Sequence, residues 1–126
     1  MTGKVVLSEA FARVSEHWRP KVVADVNDHE LKIVKVEGEF PWHRHEDVDE
    51  LFLVWRGEFR LEFRDHVLRL GPGELGVAPK GVEHRTCADE EAEVLIFEAR
   101  GVVNTGDAEA SAFTAPVGAR LDLEAG

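Results

Sequence analysis

Two histidines separated by one residue, His43 and His45, open the stretch of this sequence that is richest in metal-binding groups. On an extended strand alternate side chains point to the same face, so both imidazoles are expected to project together. Glu50 begins the apolar run that follows, and its parity places it on one face with Phe52 and Val54. Two imidazoles and one carboxylate suit divalent transition metals and leave coordination positions open for a substrate.

A further ligand is expected where a turn returns the chain to the same place. The stretch GELGVAPKGVEH supplies a histidine, His84, three residues after Gly81. Its glycines and its proline indicate turns on both sides of one short strand.

Short strands are predicted on either side of these residues. The runs KVVADV, ELKIVKVEG, ELFLVWR, EFRLEF, LGVA and EVLIFEA are separated by glycine, proline or Asn-Asp pairs. Phe59, Leu61 and Phe63 alternate with charged residues, which is the period of two of a half-buried strand. Many short strands at close spacing predict a β-sandwich or a small barrel.

One helix is predicted before the strands. In LSEAFARVSEHW, four apolar residues share a helical face, and Ser8 and Pro20 are the expected N-cap and stop. Those apolar residues are Leu7, Phe11, Val14 and Trp18.

The order of the candidate ligands resembles the first of the two motifs that define the cupin superfamily. That motif is a glycine, five residues, His-x-His, three or four residues, Glu, six residues and a glycine. Gly38, His43, His45, Glu50 and Gly57 match it, with four residues between Gly38 and His43.

The second motif of the family is similar to residues 73–88. Gly73, Pro79, Gly81 and His84 match it in order and spacing, whereas Ala88 stands where the family often has asparagine. That asparagine is not a metal ligand in the family pattern. The short separation of the two motifs resembles small single-domain cupins of the kind described as mannose-6-phosphate isomerase-like.

This resemblance implies an all-β fold, the double-stranded β-helix or jelly-roll barrel, with a short N-terminal α-helix. We expect a helical segment over 1–20, the cupin barrel over 21–106, and a C-terminal tail over 107–126 that packs on the barrel or frays from it. One divalent metal per chain (Fe, Mn, Ni, Zn or Cu) is expected inside the barrel. The implied ligands are His43, His45, Glu50 and His84.

Composition limits the partners. With 126 residues the chain suits one domain, and a net charge of −10 disfavours nucleic acid and anionic membrane surfaces. A single cysteine, Cys87, and no signal-peptide pattern in the first residues predict a cytoplasmic protein. The run ELFLVW is apolar on both faces, which together with the resemblance predicts a homodimer.

The function stays open between two classes, because the fold hosts both. The first is an enzyme of isomerase, dioxygenase or lyase type acting on a small polar metabolite. The second is a non-catalytic module that binds a metal or small ligand, and a metal that only fixes the fold is a third possibility. Tyrosine is absent, so Glu62 and Glu98 are the candidates for a general acid or base.

The remaining polar residues have plainer interpretations. Glu46, Asp47 and Asp49 are predicted to form a solvated turn, with replacement of Glu50 as ligand by one of them as the alternative. Arg56 and Lys80 are predicted to be solvated charges or, alternatively, contacts for an anionic substrate. Three other histidines are predicted to lie on the surface: His17, His29 and His66.

Overall fold

The computed structural model describes residues 3–123. Within that range there are one helix and seven strands, and every strand pairing is antiparallel. The elements are α1 (Leu7–Ala12), β1 (Lys21–Val26), β2 (His29–Glu39), β3 (Glu50–Arg56), β4 (Phe59–Phe63), β5 (Val67–Leu70), β6 (Leu75–Ala78) and β7 (His84–Ala99). The expected all-β barrel with a short N-terminal helix is confirmed.

The longest strand, β7, holds the barrel together. Five strands run in the order β1-β2-β7-β3-β6, and β4 joins them by pairing with both β7 and β5. The first residues of β7 pair with β4, and its last residues lie between β2 and β3. One strand therefore crosses from one sheet of the barrel to the other, and it brings His84 to the end where β3 begins.

The barrel interior follows the predicted alternation. In β4 the three residues predicted to face inward, Phe59, Leu61 and Phe63, are buried, and the two arginine and glutamate positions between them are less so. In β3, Phe52 and Val54 are buried on the same face as Glu50, as their parity predicted. Apolar burial by these inward residues is the main favourable term in the stability of the barrel.

The helix is shorter than predicted. It ends at Ala12, so the prediction that it continues to Trp18 is wrong, and so is Ser8 as N-cap, because Val6 precedes the first helical residue without a side-chain cap. Ala10 and Phe11 pack on the outer face of the sheet against Ile33. Residues beyond the helix instead attach to β2, where the backbone N–H of Trp18 donates to the carbonyl of Lys35 at 2.9 Å.

The described part of the predicted tail lies against the barrel. Arg19 donates from Nη1 to the carbonyl of Thr114 at 2.7 Å, and the N–H of Val22 donates to the carbonyl of Ala119 at 2.8 Å. Gly106 comes so close that a Cβ there would overlap the carbonyl oxygen of Arg44 and lie 2.9 Å from Cδ2 of His43. The C-terminal segment, residues 102–118, thus covers the end of the barrel that carries the histidines.

Candidate metal centre

The structure brings the four predicted ligands together. His43, His45, Glu50 and His84 are buried, and one ligand atom from each lies within 4.8 Å of the others. Glu50 is the first residue of β3 and His84 is the first residue of β7, so both side chains enter the barrel at strand starts.

Backbone hydrogen bonds join the two halves of the cluster. The N–H of His43 donates to the carbonyl of His84 at 2.9 Å, and the N–H of His84 donates back at 2.8 Å. The N–H of Gly81 donates to the carbonyl of His45 at 2.8 Å. The backbone at each histidine of the first motif is therefore fixed by hydrogen bonds to the second motif, although the two motifs are far apart in sequence.

Two of the imidazoles are oriented by backbone carbonyls. Nδ1 of His43 lies 2.8 Å from the carbonyl oxygen of Pro41, and Nδ1 of His84 lies 3.0 Å from that of Val82. A carbonyl oxygen only accepts, so in each ring Nδ1 carries a proton, and Nε2 is the nitrogen available to a metal. Such a contact to the second nitrogen is the usual way a metal-ligating histidine is held.

The cluster contains buried polar atoms that lack hydrogen-bond partners. They are Nε2 of His45, Nε2 of His84 and Oε1 of Glu50. The carboxylate oxygen lies 3.4 Å and 3.5 Å from the two nitrogens, which is longer than a good hydrogen bond. Buried groups left in this state are costly, and a divalent cation that accepts imidazole and carboxylate ligands would satisfy all three at once. The residues present fit such an ion.

The electrostatics of the cluster favour its ligating forms. Burial lowers the pKa of His43 from its ordinary value of 6.5 to about 4, so the ring is neutral at pH 7. Burial alone would raise the pKa of Glu50, but hydrogen bonds and charge from the adjacent imidazoles of His45 and His84 outweigh it and lower that pKa, which keeps the carboxylate ionised. Metal binding requires neutral imidazoles and an ionised carboxylate, so a bound ion would replace any proton that these rings share with Glu50.

A second group of charged side chains lies beside the cluster. Glu98 is buried on β7 next to Glu50, and its carboxylate accepts from Nζ of Lys32 at 3.1 Å. Oε1 of Glu30 lies 3.9 Å from the same ammonium. Burial and the charge of Glu50 raise the pKa of Glu98, and Lys32 opposes that rise. We call Glu30, Lys32 and Glu98 the charged trio.

Of the two acid–base candidates, only Glu98 lies inside the barrel. Glu62 faces outward and accepts from Arg60 at 3.0 Å and from Arg85 at 2.9 Å. Sequence reasoning missed Glu30 and Lys32, although their parity with the inward Val34 in ELKIVKV was a readable signal.

A cavity of about 30 Å³ adjoins the cluster. Its polar lining residues are His43, Glu50, Thr86 and Asn104, and its apolar ones are Trp18, Pro20, Val34, Val36, Phe40, Phe52, Phe59, Val94 and Ile96. Trp18 and Asn104 were missed as site residues, since both reach the cavity from segments outside the two motifs.

The other polar residues singled out in the sequence lie outside the cluster. Oδ1 of Asp49 accepts from the N–H of Lys80 at 2.8 Å, and Glu46 pairs with Arg44 at 2.8 Å. Arg56 and Lys80 are exposed and do not line the cavity. The side chains of the other three histidines are 39%, 43% and 55% exposed: His17, His29 and His66. Cys87 is a free, buried thiol.

Comparison with known families identifies this fold and its motifs. The cupin domain family matches residues 30–99, more than half of the chain. The chain belongs to the cupin superfamily. That match begins in β2 and ends with β7, so it contains all four residues of the cluster, whereas Trp18 and the C-terminal segment lie outside it.

Several relatives share this domain. The uncharacterized protein YdbB of Bacillus subtilis is 36% identical over an alignment of 87 residues, and the match covers 60% of this chain and 77% of that protein. A cupin-2 domain containing protein from Shewanella frigidimarina has a crystal structure that is 46% identical, with a TM-score of 0.75, over 76% of this chain and 94% of that one. KdgF from a Halomonas species is 30% identical, with a TM-score of 0.56, over 64% of this chain and 79% of that one.

No helix among residues 3–123 is long and apolar enough to cross a membrane.

Proposed function

We propose that this cupin binds one divalent metal ion through His43, His45, Glu50 and His84, and that it is an enzyme acting on a small metabolite. The observation that carries the proposal is the set of three buried ligand atoms without hydrogen-bond partners, in which Oε1 of Glu50 lies 3.4 Å from Nε2 of His45 and 3.5 Å from Nε2 of His84. A barrel that had lost its metal would gain stability by replacing such atoms with apolar groups, so their presence supports a bound cation.

Each ligand has a distinct role in this proposal. His43 and His84 offer Nε2 because backbone carbonyls hold their Nδ1 atoms, and Glu50 offers the only negative charge of the set. When bound, an ion in this set supplies Lewis-acid chemistry at a substrate oxygen, or redox chemistry if it is iron. The cavity beside His43 and Glu50 is where the chain leaves room for the substrate.

The class of reaction we propose is that of a metal-dependent isomerase, lyase or dioxygenase. Aldose–ketose isomerisation of a sugar phosphate is the least supported member of that group, because no lysine or arginine lines the described cavity. Arg56, which the sequence offered as a contact for an anion, is at the opposite end of β3 from Glu50 and is paired loosely with Glu93 at 3.9 Å.

The alternative is a cupin that binds a metal and a small ligand without converting it. It is favoured by the lack of tyrosine and by the restraint on Glu98, the one acid–base candidate inside, which Lys32 already holds. The two functions are separated by incubating metal-loaded protein with a metabolite extract. An enzyme depletes one compound and forms another, whereas a binding module retains a compound unchanged.

We also propose a cytoplasmic homodimer. The outer surface near β3 and β6 is rich in apolar side chains, with Trp55 43% exposed, Leu75 55% and Val77 39%. A patch of this kind supports burial against a second copy, and the single reduced thiol of Cys87 suits a reducing compartment. Sedimentation of the wild type and of Leu75→Glu tests the dimer, which the charge should dissociate.

Thermal unfolding with added metal tests the proposed site. Chelator-treated protein is titrated with Zn²⁺, Mn²⁺ or Ni²⁺, and an ion that binds only the native state raises the unfolding temperature. His84→Ala should abolish that rise, whereas His66→Ala, which changes an exposed histidine, should leave it intact. Equal behaviour of the two variants would show that the cluster is not the site.

A further inference from the structure

Trp18 has a backbone conformation that a bulky residue rarely adopts. Its φ is +62°, and the only other described non-glycine residue with positive φ is Asn27, which sits in the turn between β1 and β2. Asparagine tolerates this region, whereas a large side chain is disfavoured there. Strained residues of this kind persist where the surrounding structure holds them, and they concentrate at ligand sites.

Two hydrogen bonds fix Trp18 on β2. Its backbone N–H donates to the carbonyl of Lys35 at 2.9 Å, and its indole Nε1 donates to the carbonyl of Glu37 at 3.0 Å. The polar atom of the indole is thereby used up, and the apolar ring lines the cavity. The strained backbone conformation of Trp18 thus directs its indole ring to the cavity.

The indole contacts the proposed metal ligand His43 through one intervening aromatic ring, that of Phe40. Its centroid lies 4.9 Å from that of Phe40, and Phe40 makes an edge contact with His43 at 5.3 Å. Phe113 of the C-terminal segment closes the group, 6.0 Å from Trp18 and 5.4 Å from Phe40. We call Trp18, Phe40 and Phe113 the aromatic cover.

Two members of the aromatic cover come from outside the shared domain. The cupin match spans residues 30–99, so Trp18 precedes it and Phe113 follows it. The four ligands and Phe40 lie within the matched residues, whereas Trp18 and Phe113 join the cover from the segments on either side. Side chains that lie beside the ligands without binding the metal are suited to select the ligand.

The cavity offers few polar contacts beyond the cluster. The amide of Asn104 is tied to the C-terminal segment, since Nδ2 donates to the carbonyl of Phe113 at 2.8 Å and Oδ1 accepts from the N–H of Ala115 at 2.9 Å. Thr86 is then the remaining uncharged polar residue of the lining. A ligand rich in hydroxyl groups would leave those groups unpaired against valine, isoleucine and phenylalanine, which is unfavourable.

We infer that Trp18 is a specificity-determining residue that packs on the apolar body of a small ligand whose oxygen atoms bind the metal. The inference rests on the proposed metal site and names the class of molecule that site accepts. The cavity volume of about 30 Å³ holds roughly two water molecules, so the apolar body is a short one.

Hydroxamic acids test this inference, because they share one metal-binding head and vary in the body. Propionohydroxamate and glycolohydroxamate differ by a methyl group in place of a hydroxyl group at nearly equal size. Their dissociation constants are measured by calorimetry on zinc-loaded protein whose metal content has been determined first. We expect the wild type to prefer propionohydroxamate by about tenfold, because the hydroxyl group would be buried without a partner.

The variants assign that preference to one side chain. Trp18→Ala should reduce the preference for propionohydroxamate to about twofold or less and allow benzohydroxamate to bind. Trp18→Phe should give an intermediate preference. Trp55→Ala, which changes a tryptophan on the outer surface, should leave the preference unchanged. Equal binding of the two compounds to the wild type, or no binding of either, would overturn the ligand class. An unchanged preference in both Trp18 variants would overturn the role of Trp18. A wild type that takes up no zinc would refute the proposed metal site instead, and that result is read before any hydroxamate is added.

Discussion

Two groups of buried charged side chains lie next to each other in this barrel, and they are balanced in different ways. The charged trio contains its own cation, since Lys32 lies 3.1 Å from Glu98 and 3.9 Å from Glu30. The ligand cluster has a carboxylate, Glu50, and histidines, of which His43 is neutral at pH 7 because burial lowers its pKa to about 4. A lysine reaches both carboxylates of the trio, although Oε1 of Glu30 and Oε1 of Glu98 lack hydrogen-bond partners, whereas the carboxylate of the cluster faces only imidazoles, at 3.4 Å and 3.5 Å.

This difference explains why burial alone does not identify a metal site. Every member of both groups is less than a tenth exposed. What separates them is whether a cation of the chain reaches the carboxylates. Changing one charge in each group should therefore have unequal consequences for the metal-free protein.

The largest effect is expected from Lys32→Met. It removes the cation of the trio and leaves Glu30 as a buried carboxylate without a cation, beside Glu98, whose pKa burial already raises, so the metal-free protein should lose about 3–5 kcal/mol of unfolding free energy. Urea denaturation measures the loss. Lys21→Met is the matched control on the neighbouring strand β1, where the ammonium lies 4.0 Å from the exposed carboxylate of Glu16, and it should cost less than about 1 kcal/mol. Equal losses would mean that the trio does not depend on its cation.

Acid should destabilise the metal-free protein through His43. Its pKa is about 4 in the folded chain against an ordinary 6.5, so its contribution to stability is complete above pH 6.5 and is lost as the pH falls to 4. A shift of that size corresponds to about 3 kcal/mol. Urea denaturation at a series of pH values should show this slope in the wild type and a weaker one in His43→Gln. The same slope in both would assign the acid sensitivity to other groups.

A smaller effect is expected where the C-terminal segment meets the cluster. Gly106 and Gly118 both have positive φ, so alanine strains the backbone at either position. Only at Gly106 would the new methyl group overlap the carbonyl of Arg44 and approach His43, because nothing lies within 4 Å at Gly118. Gly106→Ala should cost about 2 kcal/mol more than Gly118→Ala in thermal unfolding. Equal losses of stability in the two variants would show that the C-terminal segment moves to accommodate the methyl group at Gly106.

The smallest change in the metal-free protein is expected from Glu50→Gln. It removes a carboxylate whose nearest cationic or donor partners are only the imidazoles of His45 and His84, at 3.4 Å and 3.5 Å, so the unfolding free energy should fall by only about 1 kcal/mol. Metal affinity, measured by calorimetry with Zn²⁺, should nevertheless fall at least about 100-fold. If Glu50→Gln were as unstable as Lys32→Met, or if it kept its affinity for Zn²⁺, the proposed difference between the ligand cluster and the charged trio would be wrong.

The sequence was sufficient to predict the barrel and the residues of the cluster. Alternation in FRLEF predicted the inward face of β4, and the parity of Glu50 with Phe52 predicted the buried face of β3. These predictions succeed because they depend on local periodicity, which a strand conserves along its length.

The surroundings of the cluster were not predictable in the same way. Trp18 was assigned to a helical face by its spacing from Phe11, but tertiary contacts with Lys35 and Glu37 end that pattern and turn the indole to the cavity. Asn104 lies in a segment without periodicity, so nothing in the local sequence indicated its position. The positions of both residues depend on contacts between segments distant in sequence, which local sequence patterns do not indicate.

Elemental analysis of untagged protein, purified freshly without chelator, shows most directly whether the cluster binds a metal, with His84→Ala and Lys32→Met measured beside the wild type. We expect about one divalent metal ion per chain in the wild type and in folded Lys32→Met, and none in His84→Ala. Absence of metal from the wild type even after incubation with Zn²⁺, Mn²⁺, Ni²⁺ or Fe²⁺, or equal metal in His84→Ala, would contradict it.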